Sequence, residues 1–166
     1  MANISFEEMM FTLMSAAHDT LSMYLGTEVF AGKVERGMNP INSDIVGMVG
    51  VGGDRVSYIL FAAAAPTARI VAKAMLSIDE PTDESMCDAI GELTNNIAGL
   101  FKNKFQEQYG NVALGLPLVV SGLVRPPAGE VATKAGDPGV KMQFKGVTIP
   151  FKSMDGSVSF RVMILV

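Results

Sequence analysis

The chain has 166 residues, of which 49% are hydrophobic and 18% charged, enough to bury the core of a single domain over residues 1–166. This composition excludes global disorder. The net charge is −4 and no run of Lys or Arg occurs, which argues against nucleic acid or an anionic membrane as a partner. The N-terminus lacks the regions of a signal peptide, and residues 58–65 are too short an apolar run to cross a bilayer. We therefore expect a cytoplasmic protein.

One cysteine, Cys87, and one histidine, His18, restrict the chemistry. They exclude an intramolecular disulfide, a thiolate metal cluster and a metal site built from several imidazoles. His18 next to Asp19 could form an acid–base pair, but neighbouring helical residues point about 100° apart, so we interpret it as an ordinary helical residue. Cys87 has no second cysteine to resolve it and is interpreted as a packing residue. The twelve methionines are spread through apolar segments and indicate an adaptable core.

Hydrophobic periodicity predicts three helices, at residues 5–25, 67–77 and 83–108. Ser5 and Glu8 form a capping box for the first helix, and Gly26 ends it. Asp83 is the predicted N-cap of the third helix, and Gly110 ends that helix. Pro66 suits the first turn of the second helix. That helix places four apolar residues along one side, namely Ile70, Val71, Ala74 and Met75.

Strands are predicted at residues 28–35, 45–51, 55–63, 112–121, 140–152 and 157–166. The second and third form a hairpin across residues 52–54, and the last two form one about Asp155-Gly156. The segments 37–43 and 125–139 are predicted loops, and Pro117 indicates an edge strand or a bulge. These elements indicate an α+β fold in which three helices, two of them long, pack on one face of about six mostly antiparallel strands.

The glycines near residue 50 do not make a dinucleotide-binding loop. That fingerprint requires Gly-x-Gly-x-x-Gly at the start of a helix, whereas the sixth residue from Gly50 is Arg55 and a strand follows. We therefore predict that Gly47, Gly50 and their neighbours serve a hairpin and close packing of the backbone.

The third helix has two very different sides. On a helical wheel its apolar residues share one side, namely Met86, Ile90, Leu93, Ile97, Leu100 and Phe101. Asp88, Glu92, Asn95 and Gly99 fall within roughly 60° of one another on the opposite side. We call these four residues the polar stripe. Glycine and asparagine are poor helix formers, with each glycine costing about 1 kcal/mol relative to alanine. This composition suits a surface that a partner approaches closely better than it suits a simple solvated face.

The segment from Asp88 to Gly99 resembles the signature helix of the CheC/CheX/FliY family of chemotaxis phosphatases. The family motif is an acid or Ser, three residues, Glu, two residues and Asn, followed by a distant Pro. Asp88, Glu92 and Asn95 match it in register, and Pro117 stands one residue short of the usual spacing. A second copy of the motif is absent from the first helix, as in CheX-like members. The resemblance implies a homodimer of α+β subunits with one site per subunit.

The resemblance also implies an activity, hydrolysis of the phosphoaspartate of a CheY-like response regulator. Asn95 would orient the attacking water, since an amide both donates and accepts hydrogen bonds without titrating. Glu92 would pair with a lysine of the receiver. Asp88 would support the edge of the contact, while Gly91 and Gly99 would let the receiver backbone approach. No cofactor is expected in this chain, because the Mg²⁺ ion would belong to the receiver.

Two other classes of function stay open on the sequence. One is a non-catalytic module that binds a response regulator, or acts as a scaffold, through the same helix. The other is a structural protein that assembles through a sheet edge or a methionine-rich helix. Lys102 and Lys104 could help to hold an acidic partner, although their position near the C-terminal end of the helix also complements the helix dipole.

Overall fold

The computed structural model describes residues 5–36, 40–53, 57–109, 111–125, 130–131, 140–141 and 146–165. Within them the helices are α1 (Phe6–Leu25), α2 (Ala65–Leu76) and α3 (Asp83–Tyr109). The strands are β1 (Val29–Ala31), β2 (Glu35–Arg36), β3 (Ile41–Gly52), β4 (Ser57–Ala63), β5 (Ala113–Leu114), β6 (Leu118–Val124), β7 (Glu130–Val131), β8 (Val140–Lys141), β9 (Gly146–Ser153) and β10 (Ser159–Leu165). No helix of the described residues is long and apolar enough to cross a membrane.

Eight of these strands form one antiparallel sheet. Its order is β1-β9-β10-β4-β3-β5, with β2 also paired to β9 and β6 also paired to β3. β7 and β8 pair separately with each other. The predicted α+β class with mostly antiparallel strands is confirmed, and the sheet contains more strands than the six predicted.

The helices cover one face of the sheet. Residues of all three helices share the main apolar core with alternate residues of β3, β4, β9 and β10, including Val49, Phe61, Ile149 and Val162. A smaller apolar cluster lies on the other face and contains Val46 of β3, Leu60 of β4 and Met163 of β10. The central strand β4 is therefore buried on both faces, which matches its continuous apolar sequence.

The first helix follows its sequence signals. Ser5 accepts a hydrogen bond from the Glu8 backbone and Glu8 accepts one from the Ser5 backbone, so the predicted capping box is formed. Gly26 ends the helix at φ 62°, a left-handed conformation that favours glycine. The predicted limits of α1 are confirmed.

The N-cap of the third helix lies one residue before the predicted one. The Thr82 hydroxyl accepts a hydrogen bond from the Ser85 backbone at 3.2 Å, so Thr82, and not Asp83, is the N-cap. Asp83 is the first helical residue, where its charge still complements the helix dipole. Gly110, the predicted end of α3, lies outside the described residues.

The second helix begins as predicted, with Pro66 in its first turn, but its predicted apolar side is only partly buried: Ile70 and Met75 are half-buried against the core, and Ala74 is exposed. Its buried residues are Thr67, Ala68, Val71 and Ala72, so only Val71 of the predicted stripe is fully buried. Small residues allow α2 to approach α3 and the sheet closely, and this packing overrides the preference for burying the larger side chains.

Several strand limits differ from the prediction. The segment predicted as a single strand at 28–35 divides into β1 and β2, and β3 begins at Ile41, inside the predicted 37–43 loop. The predicted strand 112–121 is interrupted at residues 115–117, which include Pro117, giving β5 and β6, and β6 is an edge strand of the described sheet. The predicted 125–139 loop contains β7, and the predicted strand 140–152 is replaced by β8 and β9. Both predicted hairpins form, although residues 54–56 of the first turn lie outside the described part.

The β9–β10 turn is built around the Asp155 carboxylate. Its Oδ1 atom accepts hydrogen bonds from the Ser153 hydroxyl at 2.6 Å and from the backbone N–H of Ser157 at 3.0 Å. These bonds lower the pKa of Asp155 from 3.8 to about 2, with the Ser153 hydroxyl as the largest cause. Gly156 follows at φ 73°, as such a turn requires.

Replacing Asp155 with asparagine is expected to make the stability of the protein depend less on pH in acid. A carboxyl group whose pKa is lowered on folding stabilises the fold above pH 3.8, and this contribution is lost as the pH falls through about 2. The melting temperature of Asp155→Asn should therefore fall less than that of the parent protein between pH 5 and pH 2. An Asp79→Asn variant controls for removal of one exposed carboxylate. Equal acid dependence in all three proteins would contradict this role for Asp155.

Candidate functional site

The apolar side of α3 is anchored in the core. Met86, Ile90, Leu93, Ile97 and Phe101 are at most 3% exposed, and Leu100 is half-buried. Because these residues span more than four helical turns, the helix is held along most of its length. The opposite side is thereby fixed in position relative to the sheet.

The polar stripe lies on the open side of α3. Asp88 and Glu92 are exposed, whereas Asn95 and Gly99 are half-buried. A Cβ atom on Gly99 would meet no other atom within 4 Å. In the described part of the chain, Asp88, Glu92 and Asn95 make no hydrogen bond or ion pair that would occupy their polar atoms. The stripe therefore presents an acceptor-only carboxylate and, one helical turn away, an amide that both donates and accepts.

Gly91 does not belong to this open surface. It is buried, and a Cβ atom at this position would lie 3.2 Å from Cγ2 of Val119 on β6. From the sequence, Gly91 was predicted to let a partner backbone approach. In the structure, the missing side chain of Gly91 instead allows α3 to pack against β6. The position of Gly91 on the helical wheel did not predict this burial, because β6 comes from a distant part of the chain.

α3 approaches the sheet closely at Gly47 of β3. A Cβ atom on Gly47 would lie 2.0 Å from the Thr94 hydroxyl oxygen and 3.0 Å from the Ile90 carbonyl oxygen. Thr94 is fully buried, and its hydroxyl donates to that same carbonyl at 2.6 Å. The close backbone packing predicted for this glycine is thus present, and it fixes the turn of α3 that precedes Asn95.

The first helix holds α3 from the other flank. Nδ2 of Asn96 donates to the Tyr24 hydroxyl at 2.9 Å. Further along the contact between α1 and α3, Nζ of Lys104 donates to the Ser15 hydroxyl at 2.6 Å and to the Asp19 carboxylate at 2.5 Å. The hydrogen bond from Lys104 is the largest cause that lowers the pKa of Asp19. Lys104, considered from the sequence as a partner contact, thus joins two helices of its own chain.

The remaining reactive residues are not part of the polar stripe. His18 and Asp19 do contact each other, with Nδ1 and Oδ1 3.3 Å apart, but Asp19 is also bound by Lys104 and both side chains are about half exposed. Cys87 is half-buried and packs against the main core, as predicted for a packing residue. Within the described residues, no group of three or more His, Cys, Asp or Glu side chains is placed to hold a metal ion.

The residues that sequence reasoning missed are those that support the stripe. Tyr24 gave no signal in the first helix, and Asn96 was considered only as a poor helix former. A half-buried tyrosine in one helix and an asparagine in another can be paired only once the packing of the two helices is known. Their hydrogen bond makes α1 part of the site's framework.

Comparison with known protein families gives one match. The family model described as "Chemotaxis phosphatase CheX" matches residues 45–151, which include most of β3, all of α3 and the whole polar stripe. A comparison with curated proteins finds no match.

Solved structures with a similar fold cover nearly the whole chain. A chemotaxis protein CheX from Desulfovibrio desulfuricans is 24% identical with a TM-score of 0.77, over 96% of this chain and 99% of the other. The chemotaxis protein CheX from Vibrio vulnificus is 19% identical with a TM-score of 0.72, over 95% and 98%. A chain of the CheX–CheY–BeF3–Mg²⁺ complex from Borrelia burgdorferi is 20% identical with a TM-score of 0.66, over 95% and 96%.

Proposed function

The chain belongs to the CheX family of chemotaxis phosphatases, and on that premise we propose that it accelerates hydrolysis of the phosphoaspartate of a CheY-like response regulator. The observation that carries the proposal is the placement of Glu92 and Asn95. They lie one turn apart on the open side of a helix whose other side is buried. The similar CheX chain from Borrelia burgdorferi, solved in complex with CheY, supports a receiver domain as the partner.

The reaction requires little covalent chemistry from this chain. A water molecule attacks phosphorus in line with the bond to the receiver's aspartate, that P–O bond breaks, and inorganic phosphate leaves as the carboxylate is restored. An acyl phosphate is already activated, so the main contribution left to a catalyst is to hold the water in the attacking geometry. The receiver binds the Mg²⁺ ion, which neutralises charge on the phosphoryl oxygens.

Asn95 is the residue proposed to orient the water. Its amide accepts a hydrogen bond through oxygen and donates through nitrogen, and it does not change charge near neutral pH. Its partial exposure places it within reach of a docked domain, while the Asn96–Tyr24 hydrogen bond and the Gly47–Thr94 contact hold the adjacent backbone. A rigid backbone lowers the cost of ordering the amide at the reacting group.

Glu92 is the residue proposed to bind the receiver. It is exposed, and in the described structure its carboxylate has no cation of its own chain as a partner. A lysine of the receiver can therefore form a charge-assisted hydrogen bond with it without displacing an existing contact. Asp88, one turn earlier on the same face, adds negative charge at the edge of that contact.

The test is the decay of phosphorylated receivers. Each CheY-like receiver encoded by the same genome is phosphorylated with acetyl phosphate, and loss of the phosphoryl group is followed with and without this protein. We expect at least one receiver to lose its phosphoryl group faster when the protein is present. A receiver that binds the protein but decays at its own rate would instead indicate a non-catalytic binding module.

Reversing the charge of Glu92 is expected to weaken receiver binding. In Glu92→Lys a cation replaces the carboxylate that faces the receiver's lysine, so KM should rise at least about 30-fold, equivalent to about 2 kcal/mol. The loss should be larger at low ionic strength, because salt screens the repulsion. Glu80→Lys, an equal reversal at an exposed position before α3, is the control. Equal KM values for both variants would show that Glu92 does not contact the receiver.

A further inference from the structure

A hydrogen bond joins the end of α1 to the residue directly after Asn95. Nδ2 of Asn96 donates to the Tyr24 hydroxyl at 2.9 Å, across 72 positions of the chain. Tyr24 is half-buried, packs against the main apolar core and lies in the last turn of α1, just before the Gly26 cap. The acceptor of this bond is therefore held in place both by its own helix and by the core.

The part of α3 around this bond is a weak helix former by itself. Glycine or asparagine occupies positions 91, 95, 96 and 99, and both residue types disfavour a helix relative to alanine. The buried neighbours Ile97 and Ala98 hold the segment through apolar contacts, which have no preferred direction. The hydrogen bond of Asn96 is directional, because it weakens steeply when its angle departs from the preferred range. It therefore adds a restraint on rotation of α3 about its own axis.

A small rotation of α3 would displace the Asn95 amide considerably. A helix with its side chains has a radius of about 5–6 Å, so a rotation of about 10° moves a group at its surface by about 1 Å. A displacement of about 1 Å of a group that orients a reactant can lower the rate by as much as about 10²-fold. The ion pair proposed for Glu92 is less sensitive, because Coulomb attraction falls only gradually with distance. Loss of this restraint should therefore affect the chemical step more than binding.

We propose that Tyr24 is a positioning residue for the phosphatase reaction, a role that rests on the proposed function. Its hydroxyl acts through Asn96 and fixes the rotation of the turn of α3 that presents Asn95. The two consecutive amides then have different tasks, since that of Asn96 is bound within the chain and that of Asn95 is left for the attacking water. This division explains an asparagine pair in the middle of a helix, where neither residue is favoured by propensity.

The experiment measures kcat and Kd for Tyr24→Phe, which removes the hydroxyl and keeps the ring that packs on the core. The rate is followed in single turnover at saturating protein with the receiver identified above, and Kd is measured for the same receiver loaded with BeF3 and Mg²⁺. We expect kcat to fall about five- to tenfold and Kd to stay within about twofold, because the hydrogen bond acts on the position of Asn95 and not on the charged contact of Glu92. A melting temperature well above the assay temperature excludes unfolding as the cause.

Three further variants separate this role from general stabilisation of the helix pair. Asn96→Ala removes the other partner of the bond and should lower kcat by a similar factor, although alanine is the better helix former. The double variant Tyr24→Phe/Asn96→Ala should lose no more than the larger single loss, since both changes break the same bond. Ser15→Ala removes another hydrogen bond between α1 and α3, at Lys104 about two turns further along, and should keep kcat within about twofold.

The outcomes distinguish the positioning role from the proposed function. If the parent protein is active and Tyr24→Phe keeps its kcat, the role of Tyr24 is overturned and the phosphatase proposal stands. A higher Kd with unchanged kcat would mean that Tyr24 contacts the receiver itself, and an equal loss of kcat in Ser15→Ala would mean that docking of α1 as a whole is what matters. Either result overturns the positioning role, as does a double variant whose loss is the product of the single losses. If the parent protein dephosphorylates no receiver, both proposals are overturned.

Discussion

Replacing Asn95 with alanine is expected to slow dephosphorylation of the receiver by about 10²-fold at saturating protein, which corresponds to about 2.7 kcal/mol of activation free energy. The loss should appear in kcat, with Kd for the receiver nearly unchanged, because the amide acts on the attacking water and the carboxylate of Glu92 supplies the charged contact. Decay of the phosphorylated receiver under single-turnover conditions measures the first quantity, and titration with the BeF3-loaded receiver measures the second.

Two further variants test whether the effect is specific to the amide of Asn95. Asn103→Ala removes an exposed amide two turns further along the same helix and should keep full activity. Asn95→Asp keeps the shape of the side chain but can only accept hydrogen bonds when ionised, so it should lose most of the acceleration. An Asn95→Ala variant with the activity of the parent protein would remove Asn95 from the mechanism.

The same substitution should not destabilise the fold. Alanine is a better helix former than asparagine, and Asn95 makes no hydrogen bond or ion pair in the described structure that the change would break. The melting temperature of Asn95→Ala is therefore expected to equal or exceed that of the parent protein. Loss of activity together with equal or greater stability is typical of a residue retained for function.

Replacing Gly47 with alanine is expected to destabilise the protein by about 1–3 kcal/mol. The added Cβ atom would lie 2.0 Å from the Thr94 hydroxyl oxygen and 3.0 Å from the Ile90 carbonyl, so α3 must move away from β3. Movement of the backbone is costly here, because β3 is paired on both sides and the apolar side of α3 is buried along most of the helix. Chemical denaturation at neutral pH measures the loss in the free energy of unfolding.

Gly50 on the same strand provides the control. A Cβ atom on Gly50 would meet only the Tyr58 ring, at an ordinary 3.8 Å, so Gly50→Ala should change stability little. Combining Gly47→Ala with Thr94→Ala removes the shortest contact, and the two losses should therefore be less than additive. Equal stability of Gly47→Ala and Gly50→Ala would show that α3 is not held against the sheet at this point.

The position of the polar stripe could be predicted from sequence because helical periodicity is a local property. Five of the six apolar residues assigned to the core side of α3 are buried, and Asp88 and Glu92 are exposed on the other side. The capping box at Ser5 and Glu8 is local in the same sense, and so is the turn at Gly156. In each case the residues that decide the structure lie within a few positions of one another.

The framework around the stripe could not be predicted, because it depends on contacts between distant segments. Gly91 is buried by Val119 of β6, and Asn96 is bound by Tyr24 of α1. The buried side of α2 is set by close packing with neighbouring elements and not by the size of its own apolar residues. The local sequence pattern therefore identified the residues proposed for the chemistry, but not the residues of other elements that hold α3 in position.

The most direct test of the account is the release of inorganic phosphate from a large molar excess of phosphorylated receiver over this protein. We expect many turnovers per molecule of this protein, with a rate that saturates as receiver concentration rises. Phosphate release at the receiver's own rate, under conditions in which the two proteins form a complex, would contradict it.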